Sequence, residues 1–266
     1  MDWFSIIIVL TSSIIAGVVA GLAGASAVMV MVPILMIFLK MDPYIVVGLT
    51  LLVDVAISLV AVKVYYKNKN IALMSALPIL LASFFGVAIG SYISFYIPSY
   101  NFSLLLGIGI IIVGISILLR KDKKKRTPPK IIAWFNKTKK RKISFLIFLG
   151  IFIGFISGAF GAGGGLMMFV VLVFILDYTI HKAIGTSLLM MIFIAFFGGL
   201  SHFYYKPFSL ILLGVGCIGG IIGSRYSSVF ANLLSEKQLK SAAGILFLVL
   251  GVVLLMWSIF GSGSGI

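Results

Sequence analysis

Cysteine is almost absent from the 266-residue sequence, where Cys217 is the one thiol. An intrachain disulfide framework and any metal site built from several cysteines are therefore excluded. Acidic side chains are scarce as well, six against 21 Lys and Arg, and charged residues make up 10% of the chain, where soluble domains have about 25%. Together with 62% hydrophobic residues, this composition excludes a water-soluble enzyme fold and predicts an all-α polytopic integral membrane protein.

The excess of positive charge is concentrated in one segment. Twelve of the 21 basic residues lie between Arg120 and Lys142. Basic residues beside long apolar runs are typical of the cytoplasmic flanks of membrane helices rather than of a nucleic-acid surface. We therefore expect a first membrane repeat over 1–120, a basic cytoplasmic linker over 121–142 and a second membrane repeat over 143–266. The lipid bilayer is an expected partner, and nucleic acid is not.

The two halves of the sequence repeat each other. Apolar runs occupy roughly 4–39, 44–62, 71–97, 102–119, 143–176, 183–204, 208–233 and 241–260. Glycines recur 137 residues apart, at Gly21 and Gly158, Gly24 and Gly161, and Gly48 and Gly185. The motif Tyr65-Tyr66-Lys67 recurs 139 residues later as Tyr204-Tyr205-Lys206. A nearly constant offset from the first run to the last predicts a duplicated unit of four runs, about 17–120 and 154–258.

The first run of each unit is too long for one membrane helix. As a single helix, 4–39 would measure about 54 Å, whereas the hydrocarbon core of a bilayer is about 30 Å thick. Its middle reads Gly21-Leu-Ala-Gly-Ala-Ser-Ala27, and its counterpart reads Gly158-Ala-Phe-Gly-Ala-Gly-Gly-Gly165. Because glycine clusters favour a break in a helix, each first run is either a bent helix or a hairpin of two shorter arms.

The placement of Lys and Arg separates these two topologies. If each first run crosses once, the units are parallel, with 16 basic residues inside and five outside. If each first run returns to its starting side, the units are inverted, with 19 basic residues inside and two outside. The positive-inside rule favours the hairpin, inverted units and termini outside the cell.

Two helix breaks at matching positions are typical of the substrate site of a transporter. A helix that begins within the membrane points free N–H groups and the positive end of its dipole at the cavity, which favours anions. The candidate substrate-binding residues are Gly24, Ala25 and Ser26 in the first break and Gly161, Gly163, Gly164 and Gly165 in the second. The hydroxyls of Thr50, Thr186 and Ser187 are expected either to bind substrate oxygens or to hydrogen-bond back to the preceding turn.

Asp54 is the one carboxylate deep within an apolar run. A membrane-buried acid is costly and is by default a functional hypothesis, so we predict that Asp54 carries protons coupled to transport. The alternative is a structural hydrogen bond to a neighbouring hydroxyl. The counterpart of Asp54 in the other unit is Met191, so the two halves differ chemically at this position.

The glycine segments resemble the paired motifs of the sulfite exporter TauE/SafE family, also called the toluene-sulfonate uptake permease family. The similar segments are 21–35 and 158–166, together with Val47-Gly48-Leu-Thr50 and Ile184-Gly185-Thr-Ser187. The resemblance covers nearly the whole chain. It implies a multi-pass permease of the cell membrane for sulfite, sulfonates or related small organosulfur anions. Two positions depart from the pattern: Ser26-Ala27 stand where two glycines are usual, and Val170 stands where the first unit has Pro33.

Two other functions compete with the permease. An intramembrane serine hydrolase of the rhomboid kind would use Ser26 as nucleophile and His202 as base, but Ala27 replaces the usual following glycine. A passive anion channel is the second alternative. Neither metal-ligand spacing nor a phosphate-loop motif occurs, so we expect no metal, cofactor or enzymatic activity. The sequence leaves open the exact substrate, the direction of transport, the coupling ion and whether the protein forms a homo-oligomer.

Overall fold

The computed structural model describes residues 3–74, 76–95, 102–119, 138–161 and 164–260, which form helices joined by turns and contain no strand. The helices are α1 (Trp3–Ala23), α2 (Val28–Leu39), α3 (Pro43–Lys67), α4 (Leu77–Ser94), α5 (Phe102–Leu118), α6 (Lys139–Phe160), α7 (Gly164–Val170), α8 (Ile180–Tyr205), α9 (Leu210–Leu233) and α10 (Glu236–Phe260). Helix α7 continues as a π-helical stretch, Val171–Ile175. Of the predicted basic linker over 121–142, residues 121–137 lie outside the described residues.

Six of the described helices are long and apolar enough to cross a membrane, namely α1, α3, α4, α6, α8 and α9. Helix α2 has 12 residues, so it is about 18 Å long and too short to span the hydrocarbon core. Helix α7 with its π-helical continuation, Gly164–Ile175, is likewise too short to span it. The prediction of an all-helical, multi-pass membrane protein is confirmed.

Each first run is interrupted at its glycines. Gly24 has a φ of 67° and Gly161 a φ of 63°, a left-handed conformation that glycine adopts without the steric cost of a Cβ atom. Helix α1 ends immediately before Gly24, and helix α6 ends immediately before Gly161. The predicted breaks are confirmed, because each run consists of two helices.

The connection from the short helix after each break to the next long helix is alike in the two halves. Lys40, after α2, has a φ of 48°, and Asp177, after the π-helical stretch, has a φ of 54°. Asp42 caps the start of α3 by accepting hydrogen bonds from two backbone N–H groups of its first turn. Thr179 caps the start of α8 through its hydroxyl. Both pairs of residues are 137 positions apart, the offset found in the glycines.

The most extensive helix contacts join the first half of the chain to the second. Helix α1 packs on α9 and α4 packs on α6, with glycines where the backbones approach. A Cβ atom on Gly17 would meet the backbone of Gly220, and one on Gly86 would meet the backbone of Gly154. Small residues at such positions let helix axes come close together, so these glycines serve helix packing.

The order of the contacts gives the direction of the helices. Residue numbers rise together along α9 and α1, since Gly219 lies near Leu10 and Gly223 near Ile14. They also rise together along α9 and α3, since Gly216 lies near Val53 and Gly220 near Ile57. Helix α9 therefore runs parallel to both α1 and α3. Helices α1 and α3 therefore point the same way, and the chain returns between them through α2.

The second half is arranged in the same manner. Along α4 and α6, Ile79 lies near Gly150 and Val87 near Gly158. Along α4 and α8, Phe84 lies near Phe197 and Phe95, just after α4, near Tyr205. Helix α4 therefore runs parallel to both α6 and α8. Helices α6 and α8 therefore point the same way, and the chain returns through α7. Helices α3 and α8 cross antiparallel in the middle, with Gly48 near His202 and Gly185 near Tyr65.

Candidate functional site

The two breaks meet inside the helix bundle. A Cβ atom on Gly165 would lie 3.0 Å from the carbonyl oxygen of Gly24 and 3.5 Å from the backbone nitrogen of Ser26. A Cβ atom on Gly161 would contact the side chain of Val28, at the start of α2. All the candidate residues that the structure describes are buried. Gly163, the remaining candidate, lies outside the described residues.

In the first break, Asp54 lies against the start of α2. Its carboxylate accepts a hydrogen bond from Ser26 Oγ and another, of 2.7 Å, from the backbone N–H of Ala27. Ser26 Oγ accepts in turn from the N–H of Val28 at 3.3 Å. Asp54 is 1% exposed. A buried acid on α3 therefore accepts hydrogen bonds from the two residues that immediately precede α2. The structural hydrogen bond weighed above is present, and proton transfer by Asp54 stays a prediction.

The second break also has a glycine with positive φ after its first helix, but different side chains surround it. Met191 takes the position of Asp54, and its Sδ would lie 3.7 Å from a Cβ atom on Gly164. A thioether carries no charge and accepts hydrogen bonds weakly. The break therefore has an apolar sulfur where the first break has a carboxylate.

Ser157, in the last turn of α6, brings a hydroxyl to the second break. A Cβ atom on Gly164 would collide with Ser157 Oγ and would lie 2.8 Å from Ser157 Cβ. Ser157 is 1% exposed, and within the described part of the chain its Oγ has no hydrogen-bond partner. Ser157 is not among the predicted site residues, because the duplication gives it no polar counterpart: the matching residue of the first unit is Ala20.

Thr50 and Ser187 hydrogen-bond to their own helices. Thr50 Oγ1 donates to two carbonyl oxygens of the preceding turn, at 2.8 and 3.0 Å, and Ser187 Oγ donates to the carbonyl of Ile184 at 3.0 Å. Back-bonding, one of the two expected roles, is therefore present for both. Ser187 also borders the first break, since its Oγ would lie 2.8 Å from a Cβ atom on Gly24. Contact of either hydroxyl with substrate stays a prediction.

Thr186 has a different partner. Its Oγ1 accepts a 3.0 Å hydrogen bond from the backbone N–H of Ala72, in the turn that precedes α4. The carbonyl of Ala72 accepts a 2.7 Å hydrogen bond from Tyr178 Oη. Nearby, the side chains of Asn70 and Asn232 are joined at 2.9 Å. These bonds join the segment before α4 to α8, to α9 and to Tyr178. A substrate role for Thr186 stays a prediction.

Two buried side chains, Tyr65 and His202, lie at hydrogen-bond distance from the backbone carbonyl oxygens of Gly21 and Gly158, which precede the breaks. Tyr65 Oη donates a 2.9 Å hydrogen bond to the carbonyl of Gly21. His202 Nε2 lies 3.0 Å from the carbonyl of Gly158. Tyr65 and His202 are 137 residues apart, as are the two glycines. The offset of 137 found in the glycines pairs Tyr65 with His202, whereas the offset of 139 in the Tyr-Tyr-Lys motif pairs Tyr65 with Tyr204.

The ring of His202 is buried at 1% exposure, although the sequence suggests a place near the membrane surface. Its Nδ1 lies 3.1 Å from the carbonyl oxygen of Tyr44, while Nε2 faces Gly158. A neutral imidazole donates from one nitrogen, so it can satisfy one of these carbonyls at a time. Ser26 instead bonds to Asp54, so the serine and histidine of the hydrolase alternative are not paired.

An exposed ion pair joins the halves at the other end of the bundle. Lys206 Nζ lies 2.9 Å from Asp42 Oδ2. Burial raises the pKa of the Asp42 carboxyl, but the hydrogen bond and charge of Lys206, with the backbone N–H groups of Ile45 and Tyr44, outweigh burial and hold this pKa below its usual value.

The sequence is similar to those of known membrane transporters. The family described as sulfite exporter TauE/SafE matches residues 9–254. The probable membrane transporter proteins YunE and YdhB of Bacillus subtilis strain 168 are each 25% identical to the chain, over 96% and 90% of it and 99% and 96% of their own lengths. A probable membrane transporter protein of Xylella fastidiosa strain Temecula1 is 26% identical over 97% of both chains. No solved structure matches. The chain belongs to the sulfite exporter TauE/SafE family and is a multi-pass membrane transporter rather than an enzyme.

Proposed function

We propose that this transporter moves a small sulfur-containing anion, such as sulfite or a sulfonate, by alternating access around the two breaks. The observation that carries the proposal is that the breaks touch, with Gly165 against Gly24, among buried residues. Backbone that leaves a helix at membrane depth is tolerated where protein or a cavity satisfies its polar groups. Helices that begin at such a place favour an anionic ligand. Glycine there lets a substrate approach the backbone closely.

The two units are inverted repeats in this proposal. Their support is the recurrence, 137 residues apart, of residues with positive φ, helix caps and the contacts of Tyr65 and His202 with the carbonyl oxygens of Gly21 and Gly158. The directions of the helices add to it, because α1 and α3 point one way and, since α3 and α8 are antiparallel, α6 and α8 point the other way. Inverted repeats around a central site are the usual basis of alternating access.

Orientation in the membrane follows from the basic residues. With the division into 1–120, 121–142 and 143–266 retained, we place the linker in the cytoplasm and the termini outside. Single cysteines at positions 124, 206 and 237, introduced after Cys217→Ser, test this placement with a membrane-impermeant thiol reagent. Position 206 is expected to label from outside and positions 124 and 237 only after the membrane is opened. Labelling of 206 together with the other two contradicts the inverted arrangement.

Asp54 is our candidate for proton coupling. Moving an anion into a cell with a negative interior costs about 2.3 kcal/mol per charge at 100 mV, whereas export runs with the field. An importer therefore needs a coupled cation, and Asp54 is the acid that lies in contact with the site. Lipid, a small anion and, for import, protons are thus the proposed partners.

Flux measurements in proteoliposomes test the function. The native protein is expected to give saturable uptake of ³⁵S-labelled sulfite or methanesulfonate that is accelerated by unlabelled substrate on the opposite side. Liposomes without protein are the control for leakage. Lack of flux for every small sulfur anion contradicts the proposal. Flux that neither saturates nor responds to substrate on the opposite side favours the passive channel instead.

A further inference from the structure

Ser157 differs from most buried serines of this protein. A serine within a membrane helix usually donates its hydroxyl to a carbonyl of the preceding turn, as Ser12 does to Val9 and Ser83 does to Leu80. Among the described residues, Ser58 and Ser157 are the buried side chains whose oxygen has no partner. Since a buried hydroxyl without a partner is unfavourable, a ligand oxygen that accepts from it would be favoured where the surroundings also suit that ligand.

The surroundings of Ser157 indicate where that ligand would lie. Its Oγ is directed at the place that a side chain on Gly164 would fill, next to Met191 Sδ. Gly165 follows and touches Gly24 of the other break. The hydroxyl of Ser157 therefore borders the point where the breaks meet, and glycine at positions 164 and 165 keeps other side chains out of this place.

The first break is closed to an anion by its own carboxylate. Asp54 takes the hydroxyl of Ser26 and the N–H of Ala27, which are the donors that a substrate oxygen would need. An added anion there would displace Asp54 or face it at contact distance, and like charges repel strongly in a medium of low dielectric. At the matching place in the second break, Met191 carries no charge.

We propose that the anion binds at the second break, where the Ser157 hydroxyl donates a hydrogen bond to one of its charged oxygens. The inference rests on the proposed function, since it names the position and a recognition residue for the same substrate class. The two breaks then have separate tasks: the second holds the anion, and the first holds the acid that takes up the proton transported with it. Ser157 is a specificity-determining residue that the duplicated unit lacks.

Substitution of the hydroxyl tests this assignment. Ser157→Ala is expected to raise the Kd for inorganic sulfite, measured on the purified protein by calorimetry, by about tenfold or more, because hydrogen bonds to charged groups are among the strong ones. Ser58→Ala is the matched control, since it also removes a buried hydroxyl without a partner, and it should leave the Kd within about twofold. An unchanged Kd in Ser157→Ala, or an equal rise in Ser58→Ala, overturns the inference.

A second pair of variants tests the same point through charge. Met191→Asp gives the second break the carboxylate of the first and should abolish sulfite binding at pH 7, whereas Met191→Asn keeps the shape without the charge and should retain it. Folding of each variant is checked by its elution from a size-exclusion column and its thermal unfolding. Sulfite binding by a folded Met191→Asp as tight as by Met191→Asn contradicts the inference, and if Met191→Asp does not fold, the Ser157→Ala result decides. If the native protein binds and transports no sulfite or sulfonate, the proposed function fails rather than this assignment.

Discussion

The two breaks begin at glycines with similar φ angles but differ in the side chains around them. The φ angles of Gly24 and Gly161 agree within a few degrees, and Tyr65 and His202 lie at hydrogen-bond distance from equivalent carbonyl oxygens. Yet a carboxylate caps the helix after the first break, while a thioether and a free hydroxyl border the second. Backbone geometry and helix packing thus tolerate little change between the halves, whereas the side chains that would face a substrate differ.

The largest expected effect comes from filling the second break. Gly164→Leu should abolish transport, because the new side chain would collide with Ser157 and occupy the place assigned to the anion. Gly214→Leu is the matched control, since a Cβ atom there meets nothing within 4 Å. Initial rates of labelled sulfite uptake measure both variants. A native rate in Gly164→Leu contradicts a site at this break.

A selective loss is expected from the acid of the first break. Asp54→Asn keeps an oxygen that can accept from Ala27 N–H, and its amide can donate to Ser26 Oγ, so the fold should persist. If the protein imports its anion with protons, uptake driven by a pH gradient should disappear in this variant, while exchange at equal concentrations continues. Uptake and exchange of labelled sulfite in the same vesicles separate the two activities. Normal pH-driven accumulation would leave Asp54 a structural residue.

A loss of stability is expected when the carbonyl of Gly21 loses its partner. Tyr65→Phe removes a buried hydrogen bond and should lower the free energy of unfolding by about 1–3 kcal/mol. Tyr66→Phe, at the neighbouring position with 72% exposure, is the control and should change little. Thermal unfolding in detergent compares the two. Equal melting temperatures for both variants would show that the hydroxyl of Tyr65 does not stabilise the break.

The smallest effect is expected at the exposed ion pair. Asp42→Thr gives α3 the kind of cap that Thr179 gives α8 and removes the contact with Lys206, so stability should fall by no more than about 1 kcal/mol at pH 7. Because the folded-state pKa of Asp42 is lowered, its contribution is present above the ordinary value of 3.8 and is lost as the pH falls further. Melting temperatures at pH 7 and pH 3 should therefore differ more in the native protein than in the variant. An equal difference in both proteins would remove the ion pair from the account of stability.

Local chemistry explains what the sequence could predict. Glycine clusters and the length of the apolar runs locate both breaks, because backbone freedom and bilayer thickness depend on no distant contact. The partners of Asp54 were not predictable, since Ser26 and Ala27 reach it only through the return of the chain along α2. Likewise, the importance of Ser157 depends on Gly164 approaching it in space. The sequence could not separate the two roles expected for Thr50, because only the positions of neighbouring residues decide between them.

The glycine contacts between α1 and α9 bear on how the protein is made. Helix α1 leaves the ribosome first, but its closest partner follows after most of the chain, an interval on the order of ten seconds or more at about 5–20 residues per second. During synthesis the first half therefore exposes a glycine face to lipid or to the insertion machinery, as does α4 until α6 arrives. A gene split within the basic segment should yield two fragments that accumulate only when they are expressed together. Each half would then need the other in order to fold stably.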